Sequence, residues 1–131
     1  MKNKERFLVA ALMGCLAVII GAFGAHGLKP KLSVELFEVY EKGVQYHFYH
    51  VFALFISLFA LQFVDNRWVR WSSSLFILGI VFFSGSLYLL ACRELLGIEG
   101  WRGVLGPVTP LGGLCFILGW FFLGVGVKSE E

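Results

Sequence analysis

The run VQYHFYH, residues 44 to 50, sets His47 and His50 three residues apart, one turn of a helix, with Gln45, Tyr46 and Tyr49 interleaved. The only other histidine is His26, in GAFGAHGL. Several chemistries use such residues. Two imidazoles at i, i+3 share a helix face and can hold one metal ion, with His26 as a third ligand. No carboxylate or cysteine stands at metal spacing beside them. Haem or quinone binding would use His50 turned inward, and a second axial histidine could come only from His26. A histidine can also act as base for Ser84, Ser86 or Cys92, but no G-x-S-x-G elbow or comparable signature supports that. The plainer reading is a neutral His50, hydrogen-bonded to Ser84, Tyr88 or a carbonyl of a neighbouring helix. A neutral imidazole titrates near physiological pH, so proton sensing fits the same residue. The three cysteines include no C-x-x-C and give neither a disulfide framework nor a zinc pattern. No catalytic, cofactor-binding or metal-binding residue is therefore assigned, and no cofactor is expected. The candidate polar cluster is His50, His26, Gln45, Tyr49, Tyr46, Ser84, Ser86, Tyr88 and Thr109.

The elements that position these residues follow from composition. Of 131 residues, 58% are hydrophobic and only 15% charged, against about 25% charged in a typical soluble domain. Asp, Glu, Lys and Arg are absent from 7–28, 43–64, 71–92 and 103–127. Each run supplies the roughly 20 apolar residues that cross about 30 Å of hydrocarbon as a helix. None alternates like a barrel strand, and unpaired backbone groups are not tolerated in lipid. The fold class is therefore all-α, an integral membrane four-helix transmembrane bundle. Its expected spans are 7–26, 44–64, 71–92 and 105–127 in a single domain, 1–131. The start, MKNKER followed by a long apolar run, resembles a signal peptide, but the run exceeds the usual 7–15 residues or so and is taken as the first helix. A net charge of +2 without a basic, aromatic-interleaved patch excludes nucleic acid as a partner.

The segment 33–43 reads as a short amphipathic surface helix leading into the second span, with Ser33 as N-cap and Glu35 in its first turn. Positions 32, 36, 39, 43, 46, 50, 53, 57 and 60 form one seam at alternating steps of four and three. Ala10, Gly14, Ala17, Gly21 and Gly24 form a matching small-residue stripe in the first span. Gly112, Cys115, Gly119 and Gly126 make a looser one in the fourth. GAFGAHGLKP reads as a helix ending of the Schellman kind, with His26 at the C-cap and Gly27 in the left-handed position. In GPVTPLGG, Thr109 reads as a cap and Pro110 as the first helical residue, with Pro107 allowing a start one turn earlier. Four crossings bring the end of the first, the start of the second, the end of the third and the start of the fourth helix to one face. The whole candidate cluster is expected at or near that face, with Ser84 and Ser86 deeper. Lys and Arg number six on the N-terminal side and five on the other, and the basic N-tail points both termini to the cytoplasm.

The segments GAFGAHGL, VQYHFYH, FSGSLYLLA and TPLGGLCFILGW, in this order, resemble the small membrane family called domain of unknown function 423, whose eukaryotic relatives include transmembrane protein 256. The family-like positions are Gly21, Gly24, His26 and Gly27; Gln45, Tyr46, Tyr49 and His50; Ser84, Gly85, Ser86 and Tyr88; and Thr109, Pro110, Gly112, Gly113 and Trp120. His47 departs from the pattern, which weakens a His47–His50 metal pair. The resemblance implies four membrane helices and no established reaction, substrate or cofactor. The expectation is a non-enzymatic protein of a bacterial-type plasma membrane, in contact with the lipid bilayer and acting as an accessory subunit of a larger membrane complex or as a homo-oligomer. The alternatives are a small transporter or channel with a polar site near His50, since four short helices match a small multidrug transporter protomer, and a haem-, quinone- or metal-binding subunit.

Overall fold

The structure, a computed structural model, describes residues 1–129; residues 130 and 131, the end of the expected domain, lie outside the described residues. Four long helices dominate it, and there is no strand among the described residues. They are α1 (Asn3–Leu28), α2 (Val34–Ala60), α3 (Arg67–Ala91) and α4 (Arg102–Lys128). All four are long and apolar enough to cross a membrane. The 25 residues of α3 reach about 38 Å at 1.5 Å per residue, enough for about 30 Å of hydrocarbon. The four-helix membrane bundle read from the charge-free runs is therefore the fold.

The enclosed and exposed residues are those of a protein solvated by lipid. Ser57, Ser72, Ser73 and Ser84 are wholly enclosed, while Phe52, Phe59 and Ile117 are 64%, 63% and 67% exposed. Lipid offers hydroxyls no partner, so they turn inward; apolar side chains lose nothing by facing out.

The helix ends are set by local bonding rather than by the limits of the apolar runs. Ser33 caps α2 by accepting from the Leu36 amide at 3.2 Å, and the amphipathic segment continues without a break into the membrane span. α2 stops at Ala60, short of 64, in a tight turn where Gln62 N donates to Phe59 O and Phe63 N to Ala60 O, both at 3.0 Å. Asn66 opens α3: its Oδ1 accepts from the amides of Trp68 and Val69 at 3.1 Å. Its Nδ2 donates to the Gly126 carbonyl at 2.8 Å, tying the start of α3 to the end of α4.

Two expected endings are corrected. α1 does not finish in a Schellman motif. It widens into a π turn, Gly24–Leu28, closed by Lys29 N donating to Gly24 O at 2.9 Å. Gly27 keeps a right-handed backbone, and the one left-handed glycine among the described residues is Gly97, which ends a short helix, Arg93–Leu96. Thr109 does not cap α4, which starts at Arg102 behind a 3-10 turn and carries both Pro107 and Pro110 inside it. The Thr109 hydroxyl is used in helix packing instead.

α1 lies along α2, α2 along α3 and α3 along α4, whereas α2 and α4 barely touch. The small-residue stripe of α1 faces α2. A Cβ at Gly21 would stand 3.3 Å from the Val44 side chain, and one at Gly24 would strike the Tyr40 ring. Gly112, Gly119 and Gly126 of α4 press in the same way on Phe83, Phe76 and Val69 of α3. Apolar burial cannot drive this association in lipid, so close fit and dispersion hold it. α3 carries its own π turn, Ile80–Ser84, opposite Gly112. After that turn Ser84 and Tyr88 meet α2 while Ser86 meets α4.

Candidate functional site

The candidate residues do not form one cluster. They separate into three sets, each at a different helix junction.

The first set joins α2 to α3. Ser84 Oγ donates to the Gly43 carbonyl at 2.7 Å, and the Tyr88 hydroxyl lies 2.8 Å from His47 Nδ1. Gly43 has room for this because a Cβ there would meet the Tyr88 ring at 2.9 Å. His47 is buried, and its Nε2 has no hydrogen-bond partner among the described residues. Beyond it, Tyr40 donates to the Ile20 carbonyl of α1 at 2.6 Å.

The second set joins α3 to α4. Ser86 Oγ lies 2.6 Å from Thr109 Oγ1 and 2.9 Å from the Phe83 carbonyl; Thr109 Oγ1 lies 3.4 Å from the Leu105 carbonyl.

The third set holds His50. Its Nδ1 is 2.8 Å from the Tyr46 carbonyl oxygen and its Nε2 is 3.3 Å from the indole nitrogen of Trp120. A carbonyl can only accept and an indole N–H can only donate. The ring is therefore the neutral Nδ1–H tautomer, with Nδ1–H donating to Tyr46 and the Nε2 lone pair accepting from Trp120. Phe116 stacks on the imidazole, 3.4 Å between ring centres and 7° from parallel. The Tyr46 ring lies 5.9 Å from the imidazole and 6.4 Å from Phe116, with Tyr49 edge-on to Tyr46. These rings, with Phe83, Gly113 and Ile117, line a groove of about 510 Å³ between α2 and α4. Tyr49, Ile117 and Trp120, on its rim, are exposed.

His50 lies sixteen residues after the start of α2 and ten before its end, about 24 Å and 15 Å along the axis. Counted from Gly43, where the charge-free run begins, it lies seven residues, about 10 Å, further along the helix. Two placements differ from expectation. His26 and Gln45 are exposed and belong to none of the three sets. The three histidines do not converge: His47 turns to α3, His50 to α4, and His26 sits at the end of α1. Among the described residues no three of His, Cys, Asp and Glu are grouped so as to hold a metal ion. Trp120 stood out in the sequence only as a family-like position. Its partnership with His50 spans 70 residues and leaves no local signal.

Residues 20–113 match the family model described as Protein of unknown function (DUF423). The chain is similar to a UPF0382 membrane protein of Staphylococcus haemolyticus, 43% identical over 116 residues that cover 88% of each chain. It is 40% identical to the UPF0382 membrane protein YwdK of Bacillus subtilis over 123 residues, 93% of this chain and 94% of the relative. It is 35% identical to the UPF0382 inner membrane protein YgdD of Escherichia coli over 126 residues, 96% and 91% of the two chains. No solved structure matches it.

Proposed function

We propose that this chain, which belongs to the DUF423 family of membrane proteins, is a non-enzymatic membrane component that acts by contact between helices, in the first instance with a second copy of itself. One observation carries this reading. α4 has two seams. The inner one, Leu105, Gly112, Phe116, Gly119, Leu123 and Gly126, is buried. The outer one, about 100° round the helix, runs Gly103, Gly106, Pro110, Gly113, Ile117, Trp120 and Gly124 at alternating steps of three and four. A Cβ at Gly103, Gly106 or Gly124 would meet nothing within 4 Å, and one at Gly113 would meet only Phe83, at 3.8 Å. A glycine inside a helix costs about 1 kcal/mol relative to alanine. The inner glycines are offset by close packing on α3. The outer ones gain nothing within the monomer, and a second helix approaching closely would use them. The same face borders the His50 groove, which a neighbouring helix would cover.

His50 supports a structural role in this reading. Both its nitrogens are occupied, so a metal or ligand would first have to displace Trp120. The basic N-tail argues for both termini in the cytoplasm of a bacterial-type cell.

The test is oxidative cross-linking in native membranes, with Ile117→Cys introduced after Cys15, Cys92 and Cys115 are replaced. A disulfide-linked dimer that Gly113→Leu abolishes is expected. Absence of a cross-link, together with a monomer mass in mild detergent, would refute the proposal.

A further inference from the structure

A second site lies at the end of the molecule that holds the chain's N-terminus, and it stands independently of self-association. Arg6 of α1 reaches across to α3. The two N–H bonds of its Nη1 are shared among three acceptors, the Ser74 hydroxyl at 3.0 Å, the Arg70 carbonyl at 3.2 Å and the Ser73 hydroxyl. The two serine hydroxyls donate in turn to the same Arg70 carbonyl, at 2.8 and 3.3 Å. Every one of these acceptors is uncharged. Nε and Nη2 of Arg6 donate to no acceptor among the described residues. The only ion pair among the described residues, Arg70 with Asp65 at 2.7 Å, engages the neighbouring guanidinium, so no carboxylate among the described residues pairs with Arg6. A guanidinium held by neutral hydroxyls, with its planar fork still free, matches the two-pronged geometry that binds phosphate oxygens.

Ser74 also stands on the rim of an apolar groove of about 260 Å³, lined by Trp71, Leu75 and Leu78 of α3 and Leu118 and Phe122 of α4. An anion-seeking head group and a lipid-facing apolar channel thus meet at one residue. Trp68 and Trp71, packed edge to face at 5.8 Å, mark the depth at which tryptophan sits among lipid head groups.

We propose that this juxtaposition is a binding site for an anionic phospholipid, its phosphate on Nε and Nη2 of Arg6 beside the half-buried Ser74 hydroxyl and one acyl chain in the groove between Trp71 and Phe122. Charge complementarity selects the occupant. A zwitterionic lipid brings its own cation to a surface that holds Arg6 and Arg67, with Lys2 and Lys4 in the adjoining tail, against Glu5 alone once Asp65 is paired with Arg70. A free phosphate would satisfy Arg6 but leave the groove unused.

The experiment is native mass analysis of the protein in detergent with added phosphatidylglycerol, phosphatidylcholine or inorganic phosphate. One phosphatidylglycerol retained per chain is expected, with a preference over phosphatidylcholine of about five-fold, the scale set by one basic residue near a lipid surface. Arg6→Gln should remove the preference. Leu78→Trp, which fills the groove without touching the guanidinium, should weaken retention of both lipids with helix content intact. Lys31→Gln, at the other end, should change neither. Equal retention of the two lipids by the unaltered protein, an undiminished preference in Arg6→Gln, or unchanged retention in Leu78→Trp would overturn the proposal. So would displacement of the lipid by inorganic phosphate, which would make this a phosphate site only.

Discussion

Trp120 donates its indole N–H to Nε2 of His50 across the gap between α2 and α4, at 3.3 Å. Those helices run in the same direction and touch little elsewhere, so this bond and the rings around it are the main tie between them. Because Tyr46 supplies a carbonyl to the other nitrogen, neither ring position can change its proton without breaking a bond.

The first prediction follows from that pairing. Nitrogen-15 NMR of imidazole-labelled protein in micelles should give His50 the shifts of a neutral ring protonated at Nδ1. Trp120→Phe keeps an aromatic ring but removes the donor. It should cost about 0.6 kcal/mol, the usual worth of a hydrogen bond between membrane helices, and leave the Nδ1 signal in place. A ring protonated at Nε2 in the unaltered protein would contradict the assignment.

Two glycines in closely related settings should respond in opposite ways. A Cβ on Gly112 would fall on the backbone of Phe83, inside the π turn of α3, and backbone cannot rotate aside. A Cβ on Gly85 meets nothing within 4 Å. Gly112→Ala should therefore destabilise the protein by about 2 kcal/mol, within the range for overpacking. Gly85→Ala should be neutral or stabilising by up to about 1 kcal/mol through helix propensity. Unfolding in mixed micelles measures both, and equal effects would refute the close α3–α4 approach.

The contrast between those positions also explains what could be read before the fold was known. The charge-free runs announce the four spans because lipid punishes charge wherever the helix lies. The α1 stripe from Ala10 to Gly24 was legible because a periodic row of small residues has one common use. The ending at Gly27 was not. A left-handed glycine and a π turn both call for a small residue, and the Phe23 ring lying over Gly27 and the Tyr40 ring over Gly24 accompany the second. The polar cluster divided for a similar reason. Topology brings helix ends together, but which face each hydroxyl meets depends on the π turn at Ile80–Ser84, which no residue type announces.

At the α2–α3 connection, Arg70 holds both oxygens of Asp65 at 2.7 Å. These hydrogen bonds, with the positive charge as a smaller contribution, keep the carboxyl below its ordinary 3.8. A carboxylate with a lowered pKa in the folded state stabilises the fold above its unfolded pKa. That contribution is lost as pH falls through the folded value. The stability difference between the unaltered protein and Asp65→Asn should be small and constant from about pH 7 to 5, then shrink below about pH 4. Added salt should shrink it at every pH, because the pair is exposed. A difference that grows on acidification would contradict the sign.

Ser86 and Thr109 offer the sharpest test of how α3 is held to α4. Each hydroxyl has one proton, yet three acceptor contacts surround the pair: Phe83 O at 2.9 Å, the other hydroxyl at 2.6 Å and Leu105 O at 3.4 Å. The two short contacts are satisfied together when Ser86 donates to Phe83 and Thr109 donates to Ser86. After Ser86→Ala, Thr109 can fall back on Leu105. After Thr109→Val, Ser86 keeps Phe83. Thr109→Val therefore costs the shared bond, about 0.6 kcal/mol; Ser86→Ala costs that bond and the bond to Phe83, less what Thr109 recovers at Leu105, and the double variant should cost scarcely more than Ser86→Ala alone. Unfolding free energies of the four proteins give the coupling directly. Additivity within about 0.3 kcal/mol, the rule for independent sites, would mean that the hydroxyls do not share a proton across the helix junction.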